Sequence, residues 1–432
     1  MKLLKSKKIL FFLIIILTLI VVLKTVNLRP YAFKYLPNSA KIIIKVLLKE
    51  IDIKSALNDY NIVFLPETQE VLLDIKKIKL NFLNENKEES IHTWQSFYLD
   101  FYDKDNIITS YIDGTFYIFD KSLINENDQL NLENVKNIKS NLNVSRILDS
   151  FTTEKEDKIY VSYITKDENC YYLNLSSAKK NLNRLEFDLI FKTNKCTKQI
   201  LGGRIQRYEL DNIEGLLLTT SDTIPDKPTN NSQNNDSFFG KILFIDEKKK
   251  DVKVFSLGHR NPQGLLVDNQ LILSTEHGPR GGDEINKIIL GKNYGWPISS
   301  YGTFYSNEVI ENPFEENHYS LGYEEPIYSF TPSIGISEII KINNNFSKYW
   351  KDNFLVASLR DQSLYRVKFD KDFKKIIFME KIFVNSKIRD LKYDYNNQSI
   401  LLALEGNDSQ NIMRLKLSKD RLFKKQFNLY QK

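Results

Sequence analysis

The sequence has few of the residues that build metal centres and few helical patterns. Its 432 residues include only two cysteines and four histidines, and their spacing matches no zinc site. Apolar residues rarely recur at helical intervals over a useful length, which excludes a helical bundle. No repeat of fixed period is apparent either, which weighs against the more regular propeller families.

Positive charge is in small excess, but it is not gathered on one part of the folded chain. The formal net charge is +6, and part of it comes from Lys2, Lys5, Lys7 and Lys8 at the N-terminus. Elsewhere lysine alternates with aspartate and glutamate, without the basic stripe and interleaved aromatic residues that nucleic-acid binding requires. We therefore expect no nucleic-acid partner.

Aromatic residues, in contrast, are abundant: the chain has 27 Phe and 23 Tyr, types that favour pleated sheets. From about Tyr60 onward, short β-branched and aromatic runs alternate with clusters of turn-forming residues, which predicts an all-β sandwich, barrel or propeller. The polar run 224–237 is predicted to be a solvated loop. The predicted strands include residues 61–65, 114–119, 159–164, 216–220, 241–245, 271–275, 353–359, 363–369, 400–404 and 411–417.

The first 30 residues are predicted to be an uncleaved membrane anchor. A lysine-rich start precedes the apolar run Ile9–Leu23, the order of an export signal, and Lys8 and Lys24 can reach the two membrane interfaces. Because the denser positive charge stays in the cytoplasm, residues 59–432 are expected on the periplasmic or extracytoplasmic side of the cell membrane. Residues 31–58 either form a linker or interfacial helix, or begin the fold.

The two cysteines flank a predicted hairpin. Cys170 precedes one of its strands, and Cys196 follows the other. A disulfide across the hairpin is compatible with an exported domain, and two unrelated thiols are equally compatible with the sequence.

Three glycine- and proline-rich motifs carry most of the unusual residues. They are GHRNPQGL at 258–265, STEHGPRGGDEIN at 274–286 and GKNYGWP at 291–297. Glycine and proline set loop geometry and let backbone groups approach a ligand closely. One such motif is equally typical of a tight turn between strands, but the three together indicate the rim of a ligand site.

The motifs and their order resemble those of the glucose/sorbosone dehydrogenase family. A looser similarity covers roughly residues 60–420 and includes Gly202-Gly-Arg-Ile and Ile388-Arg-Asp. The resemblance implies a six-bladed β-propeller over residues 59–432. It also implies that pyrroloquinoline quinone (PQQ) and calcium serve as cofactors in the oxidation of a small sugar.

The resemblance also implies a set of site residues. The family's calcium ligands correspond to the backbone oxygens of Gly278 and Pro279, a donor type that calcium accepts. The neighbouring Asp283 and Glu284 are expected either to serve a second calcium or to be solvated surface carboxylates. A planar guanidinium suits a cofactor with three carboxylates. The implied cofactor-binding residues are Arg260, Asn261, Ser333, Arg360, Lys387 and Arg389.

The position of the family's catalytic base differs. In the family a histidine before Gly-Gly-Arg-Leu takes the proton from the sugar hydroxyl, and here Ile200 stands at that place. General-base catalysis contributes about 10²–10⁴-fold to a rate, and His259 and His277 are the nearest replacements by sequence. Two hypotheses follow: a membrane-anchored, outward-facing PQQ-dependent aldose dehydrogenase, or a catalytically inactive propeller that binds a ligand or carbohydrate. The motifs define neither the sugar nor the electron acceptor.

Overall fold

The structure is a computed structural model that describes residues 71–418 except for 72, 84–95, 154, 169, 223–229, 305–312, 316 and 407–409. Within these ranges the strands form six sheets, which confirms an all-β, six-bladed propeller. The first strands are β1 (Leu73–Leu80), β2 (Phe97–Phe101), β3 (Asn106–Tyr111), β4 (Phe116–Asp120), β5 (Gln129–Leu130), β6 (Lys136–Ser140), β7 (Arg146–Thr153), β8 (Lys158–Asp167), β9 (Cys170–Lys179), β10 (Arg184–Leu185), β11 (Asp188–Lys192), β12 (Gly202–Leu210) and β13 (Ile213–Thr220).

The second half of the chain continues the same pattern. Its strands are β14 (Lys241–Asp246), β15 (Asp251–Leu257), β16 (Pro262–Asp268), β17 (Leu271–Glu276), β18 (Asp283–Lys287), β19 (Tyr328–Phe330), β20 (Ile336–Lys341), β21 (Phe354–Ser358), β22 (Ser363–Phe369), β23 (Ile376–Phe383), β24 (Lys387–Asp394), β25 (Ser399–Glu405) and β26 (Asn411–Leu417). Helices of the described residues are short: α1 (Leu123–Glu126) and the 3-10 turns Asn81–Leu83, Leu132–Asn134, Asn231–Gln233, Tyr319–Leu321 and Lys348–Trp350.

The six sheets are arranged around a ring of inner strands. From the axis outward they are β2-β3-β4-β6-β10, β7-β8-β9-β11, β12-β13-β14-β15, β16-β17-β18-β19, β20-β21-β22-β23 and β24-β25-β26-β1-β5. Each innermost strand contacts the next, and β24 contacts β2, so the ring closes. Hydrogen bonds between neighbouring inner strands fix their relative positions along the axis. For example, Ile205 N of β12 donates to Asp149 Oδ2 of β7 (2.9 Å). All six inner strands therefore begin at the same face of the propeller.

The first described strand closes the propeller. It pairs antiparallel with the last strand, with Leu73 opposite Leu417 and Lys79 opposite Asn411. One sheet thus contains strands from both ends of the described chain. The pairing covers an otherwise exposed sheet edge.

Hydrophobic clusters fill the spaces between adjacent sheets. In one of them Leu148 of β7 packs with Ile205 of β12 and Leu218 of β13. Because each sheet lies between two others, both of its faces are covered, and its strands become continuous buried runs instead of alternating ones. All six residues of β14 are buried. The predicted strands from residue 114 onward are all confirmed, and residues 61–65 lie outside the described residues.

The two cysteines form a disulfide, Cys170–Cys196. It joins the start of β9 to the segment between β11 and β12. The same two segments are also paired through their backbones, since Tyr171 N donates to the Thr197 carbonyl (2.8 Å) and Thr197 N to the Tyr171 carbonyl (3.0 Å). The covalent bond therefore reinforces a contact that the backbone already makes.

Replacing both cysteines by serine is expected to lower the free energy of unfolding by about 3 kcal/mol, because the unfolded chain loses the restriction of a closed loop. The cysteines are 26 residues apart. Urea unfolding of the oxidised wild type and the double variant measures the effect. Dithiothreitol should bring the wild type to the value of the variant and leave the variant unchanged. Equal stabilities in the absence of reductant would contradict the prediction.

The predicted membrane anchor at residues 1–30 and the segment 31–58 lie outside the described residues. Among the residues that are described, no helix combines the length and apolar character needed to cross a bilayer.

Candidate functional site

The first motif is held in place by His259, whose side chain is fully buried. Its Nε2 lies 2.8 Å from Ser256 Oγ and its Nδ1 lies 3.3 Å from Glu276 Oε1. The ring also stacks on Tyr294 of the third motif. The ring is fully buried, does not line the pocket that the motifs surround and has partners for both nitrogens within the fold, which indicates a structural role for His259.

Arg260 joins all three motifs. Its Nη1 donates to the carbonyl of His277 (2.9 Å), and its backbone N donates to Glu276 Oε2 (3.1 Å). The guanidinium lies over the ring of Trp296, 5.4 Å from the centroid. The three motifs therefore form one rim, as the sequence predicts. This rim surrounds a pocket lined also by Gly258, Gly278, Gly282, Glu284, Ser299, Ser300 and His318.

Trp296 is held by a segment that was predicted to be a solvated loop. Ser232 Oγ and Gln233 Nε2 donate to the Trp296 carbonyl at 2.7 and 2.6 Å, and Ser232 is fully buried. The prediction is thus wrong for Ser232 and Gln233, whose polar side chains bind a backbone carbonyl, whereas Asn230 and 234–236 are exposed as predicted. Residues 224–229 lie outside the described residues.

Arg389 and Asn261 meet through a residue that the sequence analysis did not single out. Arg389 is buried, and its Nε lies 2.5 Å from Glu405 Oε1. Its Nη1 donates to Gln263 Oε1 (3.1 Å), and Gln263 Nε2 donates to Asn261 Oδ1 (2.8 Å). Gln263 belongs to the motif GHRNPQGL, and this position was the feature of the sequence from which its role at the rim could have been predicted.

The other implied cofactor residues, Ser333, Arg360 and Lys387, differ in exposure. Ser333 precedes β20, and its Oγ is buried with no hydrogen-bond partner among the described residues. Arg360 N donates to the Ile334 carbonyl (3.0 Å), which places these two loops in contact. The side chains of Arg360 and Lys387 are exposed. Arg260, Asn261 and Arg389 are therefore the implied residues that the structure joins most closely.

Asp283 is not a surface carboxylate, and that prediction is wrong. It is 1% exposed. Its Oδ2 accepts hydrogen bonds from the backbone N of Ile334 (3.0 Å), Gly335 (2.7 Å) and Ile336 (3.0 Å), and its Oδ1 accepts one from Gly278 N (3.1 Å). Four backbone amides thus donate hydrogen bonds to this carboxylate. These bonds connect the second motif to the loop that carries Ser333.

Replacing Asp283 by alanine is expected to lower the free energy of unfolding by about 2–4 kcal/mol, because the buried amides lose a charged acceptor. Thermal or urea unfolding measures the loss, which should be the same in calcium and in EDTA. A loss that appears only in calcium would show that Asp283 acts as a calcium ligand instead. Asp268→Ala, at a part-exposed carboxylate, serves as the control and should have a small effect.

Glu284 is buried as well, against the same expectation. Asn286 Nδ2 donates to both Glu276 Oε1 (2.7 Å) and Glu284 Oε2 (3.0 Å). Burial and the neighbouring Glu276 raise the pKa of Glu284 well above its ordinary value. In the described parts of the chain, no three or more His, Cys, Asp or Glu side chains are grouped to hold a metal ion.

His277 presents a free hydrogen-bonding atom at the rim. Its Nε2 is buried and has no partner among the residues that the structure describes. Burial lowers the pKa of His277, Asp283 opposes the shift, and Arg260 and Arg389 lower the pKa further. The imidazole is therefore neutral at pH 7 and can donate to or accept from a ligand.

Ile200 lies in the core, beside the rim. It is 3% exposed and packs in the hydrophobic cluster that contains Leu148, Leu216 and Phe239. It comes just before β12, whose first residue, Gly202, lies against the Pro262 carbonyl. The segment thus borders the first motif, but the side chain at position 200 offers no polar atom to it.

The largest feature that the sequence analysis missed is a buried charge cluster on the propeller axis. Arg204 of β12 has a side chain that is 3% exposed, and its Nη1 lies 3.1 Å from a carboxylate oxygen of each of Asp149, Glu338 and Asp390. Its Nε donates to the Gln263 carbonyl (2.6 Å) and its Nη2 donates to the Arg389 carbonyl (2.9 Å). One guanidinium thus joins five of the inner strands.

The charges of this cluster do not balance. Lys392 lies 3.9 Å from Asp100, so four carboxylates share two cations along the axis. Burial raises the pKa of Asp149 to about 6 and that of Glu338 to about 7, although Arg204 opposes both shifts. The cluster therefore retains protons on its acids at a higher pH than an unfolded chain does.

Local backbone geometry aims these side chains at the axis. The inner strands have register irregularities at 147/149, 202/205, 336/339 and 388/390, and a bulge redirects the side chains around it. Before Arg204, Gly203 has a φ of 91°, and a Cβ there would lie 2.5 Å from Leu148 Cβ. Only glycine permits this close approach of β12 to β7. Strand alternation alone does not reveal such positions.

Sequence comparison identifies the family. The family model described as Glucose / Sorbosone dehydrogenase matches residues 94–414. The chain is 34% identical over 172 residues to the aldose sugar dehydrogenase YliI of Escherichia coli, covering 38% of this chain and 42% of that protein. It is 33% identical over 139 residues to quinoprotein glucose dehydrogenase B of Acinetobacter calcoaceticus, covering 31% and 24%. These matches span less than half the length of the curated relatives.

Structure comparison gives the same fold. The PQQ-bound form of an aldose sugar dehydrogenase from Streptomyces coelicolor superimposes with a TM-score of 0.56 at 17% identity, covering 81% of this chain and 99% of that one. This likeness supports the six-bladed architecture independently of the motifs. Because the family model covers most of the chain and includes all three motifs of the rim, the protein belongs to the glucose/sorbosone dehydrogenase family.

Proposed function

We propose that this protein is an oxidoreductase that oxidises a sugar with PQQ bound at the rim formed by the three motifs. The observation that carries the proposal is the meeting of Arg260, Asn261 and Arg389 at one face of the propeller. Two buried polar atoms beside them, His277 Nε2 and Ser333 Oγ, have no partner among the described residues. A cationic site with uncommitted polar atoms suits an anionic ligand rich in oxygen.

The residues present fit the cofactor. Arg389 is oriented by Glu405 and Gln263, and Arg260 is oriented by the His277 carbonyl and the Trp296 ring. Both guanidinium groups are thus held in position before a ligand arrives, which reduces the entropy lost on binding. PQQ, when bound, supplies the quinone that is reduced as the sugar is oxidised.

One calcium ion is part of the proposal, with the carbonyl oxygens of Gly278 and Pro279 as its protein ligands. The turn is held by the bond from Gly278 N to Asp283 Oδ1. A Cβ at Gly278 would lie 2.2 Å from the Gly282 carbonyl, so this compact turn requires glycine there. Calcium accepts backbone carbonyls readily. A second calcium at Asp283 and Glu284 is not proposed, since both carboxyl groups are engaged within the fold.

The alternative function is binding of the same ligands without turnover. The observation that favours it is the core position of Ile200, because the residue at the place of the family's base has only a hydrocarbon side chain. His259 is not offered as a replacement for the base, since its ring is fully buried and does not line the pocket. The two proposals share the binding site and differ in whether a bound sugar is oxidised.

Titration of the full-length protein in detergent with PQQ, with and without calcium, tests the binding. We expect Arg389→Gln to lower the PQQ affinity by tenfold or more, a magnitude typical of a lost charge-assisted hydrogen bond. The exposed Arg184→Gln is the control and should bind normally. Sugar-dependent dye reduction by the loaded protein then separates the two functions: turnover supports the dehydrogenase, and binding without turnover supports the alternative. Absence of PQQ binding would remove both.

We further propose that residues 1–30 anchor the protein in the cell membrane, with the propeller on the extracytoplasmic side. The support is the lysine-rich start followed by the apolar run Ile9–Leu23. Cell fractionation should place the protein with the membranes, and external protease should digest the propeller in spheroplasts. Protection of the propeller in intact spheroplasts would contradict the proposed orientation.

A further inference from the structure

We infer that Arg146 binds an anionic group, a carboxylate or a phosphate, on the sugar that this site takes up. The inference rests on the proposed sugar-binding function, and it names the chemical class of the sugar. Neither the sequence motifs nor the family resemblance points to Arg146.

The position of Arg146 in the ring places it at the same face as the implied cofactor residues. It is the first residue of β7, an inner strand of the ring. The six inner strands begin at one face, so Arg146 lies at the level of Lys387, the first residue of β24, and of Pro262, the first residue of β16. β24 carries Arg389, and β16 begins directly after Asn261. Arg146 is thus a further cation at the face where the implied cofactor residues meet.

The charge of Arg146 is not balanced within the fold. Its side chain is half-buried, and no carboxylate among the described residues forms an ion pair with it. Two buried arginines of other inner strands differ: Arg389 is paired with Glu405, and Arg204 with three acids. A guanidinium that is partly removed from water without a counterion costs free energy. Such an arrangement is understandable where a ligand supplies the anion.

The charges around Arg146 also favour an anionic ligand. Burial lowers the pKa of Arg146, and the nearby Arg389 lowers it further, while Tyr98 and Glu405 oppose the shift. Glu405 is already bound to Arg389 and to the Ser96 hydroxyl. The guanidinium groups of Arg146 and Arg389 therefore repel each other, and Glu405 is already engaged by Arg389. An anionic ligand beside Arg146 would offset this repulsion.

The place of Arg146 in the ring favours the sugar over the cofactor. The implied cofactor residues lie on or beside β16, β20 and β24, on one half of the ring. Arg146 lies on β7, three sheets away from β20, between β2 and β12. Position 200, where the resemblance puts the group that contacts the sugar hydroxyl, immediately precedes β12. Arg146 is therefore on the half of the ring that is left for the sugar.

Calorimetric titration of the full-length protein with D-glucose, D-glucuronate and D-glucose 6-phosphate tests the inference, with and without PQQ and calcium. We expect at least one anionic sugar to bind about tenfold or more tightly than glucose, as for a hydrogen bond to a charged group. Arg146→Gln should remove that preference and leave the glucose affinity unchanged, and Arg146→Lys should keep part of it. Salt should weaken the binding of the anionic sugars only.

Controls separate this role from a structural one and from a role in cofactor binding. The exposed Arg184→Gln should change none of the affinities, and Arg146→Gln should melt no lower than the wild type, because it leaves no partner unpaired. Equal wild-type affinities for all three sugars would overturn the inference. So would an Arg146→Gln variant that loses PQQ affinity but keeps the preference for anionic sugars. If the wild type binds an anionic sugar through Arg146 but never binds PQQ, the redox function fails and the inference stands.

Discussion

Arg204→Leu is expected to lower the free energy of unfolding by about 3–5 kcal/mol, the magnitude seen when one partner of a buried ion pair is removed. The guanidinium lies 3.1 Å from Asp149, Glu338 and Asp390. Without it, these acids share only Lys392 as a buried cation. The variant also loses the bonds that join five of the inner strands. A loss of this size can prevent the propeller from folding at 37 °C.

Urea unfolding of the wild type, Arg204→Leu and the exposed control Arg184→Leu measures this loss. The loss should shrink as the pH falls from 8 to 5. Burial raises the pKa of Asp149 and Glu338 above the value of about 4 in an unfolded chain. Arg204 lowers both pKa values in the wild type, so they lie higher still in the variant. The folded variant therefore takes up more protons than the folded wild type as the pH falls, and lower pH stabilises the variant more. A loss below about 1 kcal/mol at pH 8 would contradict a central role for Arg204.

Ile200→His is expected to raise the rate of sugar oxidation by the PQQ-loaded protein by about 10²-fold or more, within the usual range for a general base. The substitution places an imidazole where the resemblance puts the family's base, next to the segment that borders the first motif. It also puts a polar ring into the cluster around Leu148 and Phe239. A stability loss of about 1–3 kcal/mol is therefore expected at the same time.

Steady-state dye reduction with the wild type, Ile200→His and Ile200→Gln measures the gain. Glutamine is polar and of similar length but accepts no proton at neutral pH, so it should reproduce the stability loss without the gain in rate. The gain in Ile200→His should appear as the pH rises through the pKa of the new histidine, because only the neutral ring accepts a proton. If PQQ binds and the histidine variant is no faster than the glutamine variant, the placement of the missing base is wrong.

The rim was predicted from sequence with more success than its surroundings. Arg260, Asn261 and Arg389, which the resemblance implies as cofactor-binding residues, lie at one face of the propeller. For Asp283 and Glu284 the sequence left open a second calcium or solvated surface carboxylates, and the second alternative is wrong, although carboxylates are usually exposed. Asp283 is instead buried by four backbone amides from two separate loops, a combination that no local pattern contains.

The sequence alone predicts nine of the described strands and the resemblance to a family, because each depends on residues that are close together in the chain. The tertiary structure decides which distant residues share a site and which way each side chain points. Arg204 reaches Asp149 and Asp390 across 55 and 186 residues, and bulges turn these side chains toward the axis. The tertiary structure likewise directs Ile200 into the core and leaves Arg146 without a carboxylate partner among the described residues. Such outcomes depend on how the six sheets pack around the ring, which the local sequence does not encode.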